Sequence, residues 1–291
     1  MFISIDFGIT NTDILVKKED KLVHEMFLSE EIPNDVFLLD LIDEIGEKPT
    51  NIKGIAVTGG HHQKLGNEIK NIPIFHVNEI EAIGAGGIEL SKIYDRPVII
   101  VSAGSGTACV YANNGEYIHC SGTGIGGGTI IGLSKLIIQE SDPIKIQELA
   151  KKGNHSNTDL ILSDVITGPI GNLPPDTSAV NFGKINKSDE VISREDLAAG
   201  IVNMVGQTIA RIATSVAITF DTKDIVVIGR TPTFSTLRES LNQAATITNF
   251  KPHFPKNGEY ASALGAMLIM QKKPQRKLGF LKKSWQWPTL T

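Results

Sequence analysis

Residues 2–17 read FISIDFGITNTDILVK, and residues 98–112 read VIIVSAGSGTACVYA. Both stretches open on a short apolar run, stop at an acidic or small polar residue beside glycine, and resume as a second apolar run. A short apolar run bounded by turn residues reads as a buried strand. Each stretch therefore predicts two strands and a tight loop. The first pair is Phe2–Ile5 and Asp13–Lys17 around Asp6–Thr12; the second is Val98–Ser102 and Ala108–Ala112 around Gly104–Thr107. Leu22–Leu28 gives the first pair a third strand. Tyr117–Cys120 does the same for the second, across the hairpin signal Asn113-Asn114-Gly115. One strand pattern thus occurs twice, which predicts two halves of one architecture.

Between and after these stretches, strand and helix alternate. Val36–Ile45 and Ala82–Tyr94 have helical spacing, while Gly54–Thr58 and Ile74–Val77 read as strands. Past the glycine run at 122–128, helices are expected at Ile144–Lys152, Asp159–Ile166, Arg194–Phe220, Thr236–Ala244 and Tyr260–Met270. A strand is expected at Ile225–Ile228 and a loop over 167–187. Ser193, with Asp196 three residues on, predicts the start of the long helix. That helix is small and apolar nearly all round, so it should be buried in the core or at a subunit interface.

At 291 residues the chain has length for about two domains. Its 41% hydrophobic and 21% charged content exclude global disorder and fibrous repeats. A net charge of -4 argues against nucleic acid as partner. The tail at 272–291 is different: it holds Lys272, Lys273, Arg276, Lys277, Lys282 and Lys283 with no acid, and both tryptophans, Trp285 and Trp287. It reads as a solvated or docked arm. The two cysteines, Cys109 and Cys120, lack metal spacing and suit a reduced, cytoplasmic setting. The N-terminus reads as a strand, not a leader, and no uninterrupted apolar stretch is long enough to predict a membrane span.

Four groups carry chemistry. In Asp6-Phe7-Gly8-Ile9-Thr10-Asn11-Thr12, a carboxylate at a strand end suits Mg²⁺ held through water, and Gly8 lets the backbone approach a phosphate that Thr10, Asn11 and Thr12 then contact. Gly104-Ser105-Gly106-Thr107 repeats that equipment, so two loops are placed to grip one polyphosphate. Ser121-Gly122-Thr123-Gly124-Ile125-Gly126-Gly127-Gly128-Thr129 leads into a helix, which makes an anion site at a helix N-terminus; it is neither a Walker nor a dinucleotide pattern. Glu79, in Val77-Asn78-Glu79, is a candidate general base, against the alternative that Asn78 and the acids only cap a helix. The adjacent His61 and His62 do not form a metal pattern.

The ordered set IDFGIT, VTGG at 57–60, VNEIE, SAGSGT, SGTGIGGGTIIGL, LPPDTSAVNFG at 173–183, DIVVIG at 224–229 and NGEYASALGA at 257–266 resembles the type II pantothenate kinases. The resemblance runs from Met1 to about Gln271. It implies an α/β fold of two duplicated ribonuclease-H-like (actin-like ATPase) domains with a nucleotide cleft between them. The expected division is 1–95, 96–271 and the tail at 272–291. It implies ATP and Mg²⁺ as cofactors, pantothenate as acceptor, a homodimer with the long helix at its interface, and a CoA or acyl-CoA effector.

By the resemblance, Asp6, Gly8 and Thr10 match the first phosphate motif; Ser105, Gly106 and Thr107 match the second. Gly126–Gly128 and Gly229 match nucleotide-binding segments, and Glu79 matches the base that takes the acceptor's hydroxyl proton. Ser105, His119, Gly122 and Thr123 fall on the substrate side. Two positions depart from the family: Asp13 stands where a lysine is usual, and His119 where an arginine is usual. Arg230 and Lys64 are the candidate replacement cations. Two alternatives stay open from the residues. One is a kinase of the same fold for another small alcohol such as an amino sugar, and the other a nucleotide- or CoA-binding regulator.

Overall fold

The computed structural model describes residues 1–272 apart from positions 20, 30, 169–172 and 188–190. The basic, tryptophan-bearing segment at 273–291 lies outside the described residues. The chain runs β1 (Phe2–Phe7), β2 (Asn11–Lys18), β3 (Lys21–Leu28), α1 (Asp35–Glu44), β4 (Ile55–Gly59), β5 (Glu68–Ile69), β6 (Ile72–His76) and α2 (Glu79–Ser91). It continues with β7 (Val98–Ala103), β8 (Thr107–Asn113), β9 (Glu116–Thr123), α3 (Gly127–Ile138), α4 (Pro143–Lys152), β10 (Leu160–Ile161), α5 (Leu162–Val165) and β11 (Ser178–Val180). It closes with α6 (Arg194–Thr219), β12 (Ile225–Ile228), α7 (Ser235–Thr246) and α8 (Ala261–Lys272).

The duplication read from the sequence is a duplication of topology. In the first sheet, β1 pairs antiparallel with β2 and parallel with β4, in the order β3-β2-β1-β4-β6-β5. In the second, β7 pairs antiparallel with β8 and parallel with β12, in the order β12-β7-β8-β9. β1 and β7 hold equivalent central places, so the loops that follow them occupy equivalent strand ends. The hairpin at Asn114-Gly115 forms with both residues at positive φ, as a tight primed turn requires.

Five layers result. Sheet one buries Ile3, Ile5, Ile14 and Val57 against α1 on one face. Its other face packs Leu15 and Ala56 against Ala82, Ala263 and Met267 of α2 and α8. Sheet two meets α2 through Ile100, Val110 and Ile83. Its far face, with Ile99 and Val101, is covered by α3, α4, α6 and α7. β7 is apolar from Val98 to Val101 because both its faces are covered. The middle layer is close-packed: a Cβ on Gly86 of α2 would lie 1.9 Å from the Ala261 carbonyl oxygen, and one on Gly265 of α8 would lie 1.9 Å from that of Ala82. The last described helix thus returns to the first sheet.

Three expectations change. Residues 159–166 are not one helix: Leu160–Ile161 pairs with Ser178–Val180 in a small sheet, and only Leu162–Val165 is helical. The cause is Asp159, fully buried, which accepts from Ser178 Oγ (2.6 Å), the Phe182 N–H (2.8 Å), Asn181 Nδ2 (3.1 Å) and Asn203 Nδ2 (3.0 Å). The glycine-spotted helix begins at Glu79, three residues before the expected start, because Asn78 accepts the Ile80 N–H and caps it. Ser193 does cap α6, but the Asp196 carboxylate turns away to accept the Asn154 N–H (2.7 Å) and Asn157 Nδ2 (3.1 Å). α6 is the one helix among the described residues long and apolar enough to cross a membrane, and most of it is buried against sheet two and its neighbouring helices.

Candidate active site

The two repeated loops meet. Thr10 Oγ1, in the loop after β1, lies 2.8 Å from Ser105 Oγ, in the loop after β7. Gly8 is forced by its turn, since a Cβ there would come 2.6 Å from the Asn11 carbonyl oxygen. Thr12 does not reach the cleft. It is buried, with its hydroxyl 3.0 Å from Ser29 Oγ, and the Ser29 hydroxyl donates to the Gly8 carbonyl (2.8 Å). It braces the loop from behind.

Around the second loop the glycines serve backbone contact. The N–H groups of Gly127 and Gly128 donate to the carbonyls of Gly104 (2.8 Å) and Ser105 (3.0 Å), and that of Gly126 to Thr129 Oγ1 (3.2 Å). The expected anion cradle from the first N–H groups of α3 is therefore not available as read: those donors hold α3 against the loop. A Cβ on Gly126 would meet the Ser105 oxygen at 2.7 Å. A Cβ on Gly106 or on Gly122 would likewise crowd the Thr123 or the Thr107 carbonyl oxygen, at 3.0 and 2.9 Å. Thr107 Oγ1 donates to the Ile125 carbonyl (2.8 Å), and Thr123 Oγ1 accepts the Ile125 N–H (3.2 Å). Gly229, at φ +94°, sits against Ala103, and Thr231 Oγ1 donates to the Gly104 carbonyl (2.6 Å). Gly104–Thr107, Gly126–Gly128 and Gly229 thus form one contiguous wall.

Carboxylates flank the first loop. Glu79 and Asp13 act electrostatically on Asp6. Burial, then the Glu79 and Asp13 charges, push Asp6 up to about 7, while a hydrogen bond with the Ser262 side chain opposes this. Glu79 is the first residue of α2 and is exposed. Asp13 accepts from His24 Nε2 (2.7 Å) and from Arg230 Nη2 (2.5 Å). Lys64 lies exposed on a single helical turn. His119 is exposed on β9, with Nε2 3.4 Å from where a Gly122 Cβ would stand. His62, next to His61, pairs through Nδ1 with His76 Nδ1 at 3.1 Å. No group of three metal-ligating side chains occurs among the described residues.

The sequence reading missed Ser262, His24 and Thr231. Ser262, at the start of the small-residue helix α8, hydrogen-bonds through its side chain with Asp6, which joins opposite ends of the chain. The partners of Asp13 had no sequence signal, because His24 and Arg230 reach it only through the sheet pairing of β2 with β3 and the return of the chain after β12.

The duplicated two-sheet fold is that of the actin-like ATPase class. Among solved structures, the chain is similar to the activator of the 2-hydroxyisocaproyl-CoA dehydratase from Clostridium difficile with bound ADPNP (TM-score 0.67, 16% identity, 97% of this chain and 99% of that one). It is also similar to a ROK family protein from Streptococcus pneumoniae (TM-score 0.58, 12% identity, 93% and 99%). The Fumble family model matches residues 26–269. A type II pantothenate kinase of Bacillus cereus is 30% identical over 277 residues, 93% of this chain and 98% of that protein. One of Oceanobacillus iheyensis is 31% identical over 224 residues, 73% and 80%. The chain belongs to the Fumble family, the type II pantothenate kinases.

Proposed function

We propose that this protein phosphorylates the primary alcohol of pantothenate at the expense of ATP, with Glu79 as general base. The observation that carries the reading is the meeting of Thr10 and Ser105 in front of the Asp6–Glu79 pair. It supports a reading in which the two loops hold phosphates, Asp6 serves a metal ion and Glu79 serves as the base of one site. The hydroxyl oxygen forms the new bond to the terminal phosphorus. The bond from that phosphorus to the bridging oxygen breaks with its electrons staying on ADP, and the hydroxyl proton passes to Glu79. Asp6 suits a divalent cation: it is hemmed in by protein, and the charges acting on it are both negative. Asp6 would hold Mg²⁺ through water, and the ion would supply positive charge to the phosphate oxygens.

Thr10, Asn11 and Ser105 serve the phosphates. The sequence expectation for Thr107 is corrected: it is buried and its hydroxyl is committed to the Ile125 carbonyl, so it braces the second loop. Gly229 and Gly126–Gly128 shape the nucleotide wall by letting backbone segments touch. His119, Gly122 and Thr123 lie on the acceptor side, along β9. The same reading includes a cytoplasmic homodimer and a CoA or acyl-CoA effector, to be measured by light scattering and by inhibition of turnover.

The deciding experiment is ADP release from purified protein with Mg·ATP, with and without pantothenate, beside a Glu79→Gln control. Pantothenate-dependent turnover that collapses in the control is expected. Tight ATP or CoA binding without such turnover overturns the acceptor and returns the question to an amino sugar or another alcohol, then to a regulatory role.

A further inference from the structure

The cleft has an imbalance of charge. Three carboxylates, Asp6, Asp13 and Glu79, crowd the side that would face a polyphosphate. A transferring phosphoryl group adds more negative charge, and its transfer depends on cations held in place. Arg230 brings positive charge to this side. It belongs to the second half of the chain, and its tip crosses to the first: Nη2 donates to Asp13 Oδ1 at 2.5 Å over a separation of 217 residues. Its backbone is fixed on both sides, since Gly229 abuts Ala103 and Thr231 Oγ1 donates to the Gly104 carbonyl. The side chain therefore starts at one phosphate loop and ends beside the other.

Asp13 is held in turn. It accepts from His24 Nε2 at 2.7 Å, and the His24 ring lies 4.6 Å, centroid to centroid, from that of Tyr260. A guanidinium has five N–H donors in a planar fork. Satisfying Asp13 with one nitrogen leaves the others free for oxygens of a bound phosphate. A carboxylate that orients a ligand-facing cation tunes its reach without touching the ligand.

We propose that Arg230 is the side chain that takes up the charge of the terminal phosphoryl group, and that Asp13, backed by His24, is the positioning residue that aims it. The proposal rests on the kinase reading above. In the transfer, Arg230 exchanges no proton and forms no bond; it donates hydrogen bonds to phosphoryl oxygens while the new P–O bond forms and the bond to the ADP oxygen breaks.

The test compares wild type, Arg230→Ser, Arg230→Lys and Asp13→Asn. Binding of ADP and of a non-hydrolysable ATP analogue is measured by calorimetry, kcat and KM by ADP release, and folding by melting temperature. Arg230→Ser is expected to weaken the triphosphate analogue at least tenfold more than ADP, and to lower kcat by about 10²–10³ with the pantothenate KM within threefold. Arg230→Lys should recover at least tenfold of that loss. Asp13→Asn should lower kcat about tenfold while affinity for the analogue changes less than threefold. An unchanged ratio of analogue to ADP affinity in Arg230→Ser overturns the proposal, as does a loss of turnover that Arg230→Lys does not recover. The binding ratio is read without an acceptor. Absence of pantothenate turnover in wild type therefore overturns the acceptor alone.

Discussion

Asp6 and Asp13 are register partners across β1 and β2, so two carboxylates stand side by side on one face of a sheet. Directly opposed like charges destabilise a strand pair. With burial and Glu79 added, they push Asp6 up to about 7.

The sign of the consequence follows. Between the ordinary carboxylate value and about 7, the folded chain keeps a proton on Asp6 that the unfolded chain has released. Stability therefore falls as pH rises through that window, by up to about 4 kcal/mol, and by less because Asp6 keeps some exposure. Asp6→Asn should raise the melting temperature of the ligand-free protein at pH 8 by several degrees, hardly change it at pH 4.5, and abolish turnover. A stability gain independent of pH would show that the strain at Asp6 is not electrostatic.

Thr10 and Ser105 touch, so their substitutions should not add. Thr10→Val and Ser105→Ala are each expected to weaken Mg·ATP binding by about tenfold. The double variant should fall short of the product of the two, because each single change already breaks the shared contact. Calorimetric titration of the three variants gives the coupling directly.

Two glycines in helices should respond oppositely to alanine. A Cβ on Gly132 of α3 meets nothing within 4 Å, so Gly132→Ala should stabilise by about 0.5–1 kcal/mol through the unfolded chain. A Cβ on Gly265 of α8 would sit 1.9 Å from the Ala82 oxygen and 2.7 Å from the Gly86 nitrogen, backbone that cannot turn aside. Gly265→Ala should cost about 1–3 kcal/mol or more. Urea unfolding of both variants makes the comparison.

Asp159 governs the acid limit. Burial alone would push its pKa up, but hydrogen bonds from His155, Ser178, the Phe182 N–H and Asn203 outweigh it and hold the carboxyl below its ordinary value. The stability it supplies is present above the ordinary carboxylate range and is lost as pH falls through the lower folded value. Asp159→Ala should cost about 3–5 kcal/mol, because it strands several buried donors. Limited proteolysis is expected to cut first between residues 155 and 183.

Much of this was legible before any coordinates. The two DFG- and GSG-type loops, the hairpin at Asn114-Gly115 and the long buried helix rest on local backbone chemistry, and each formed where its residues called for it. The candidate site was legible in part. Asp6, Thr10, Ser105 and Gly229 converge, as two strand ends in a duplicated topology must. Thr12 was misread because strand alternation sends it to the face behind the loop. The donors of Gly126–Gly128 were misread because a glycine run that admits a phosphate and one that admits another backbone look alike in one dimension. Residues 159–166 kept helical spacing, but one buried carboxylate recruited a distant strand and overrode it. The Asp13–Arg230 contact spans most of the chain and carries no local signal at all.

The position of α8 bears on how the protein is made. Its residues cover one face of the first sheet, yet they are translated after β7–β9, α6 and β12. At about 5–20 residues per second, strands β1–β6 leave the ribosome and wait roughly ten to forty seconds for α8, with only α2 on that face. A chain stopped before residue 261 leaves bare the part of that face that Ala263 and Met267 cover.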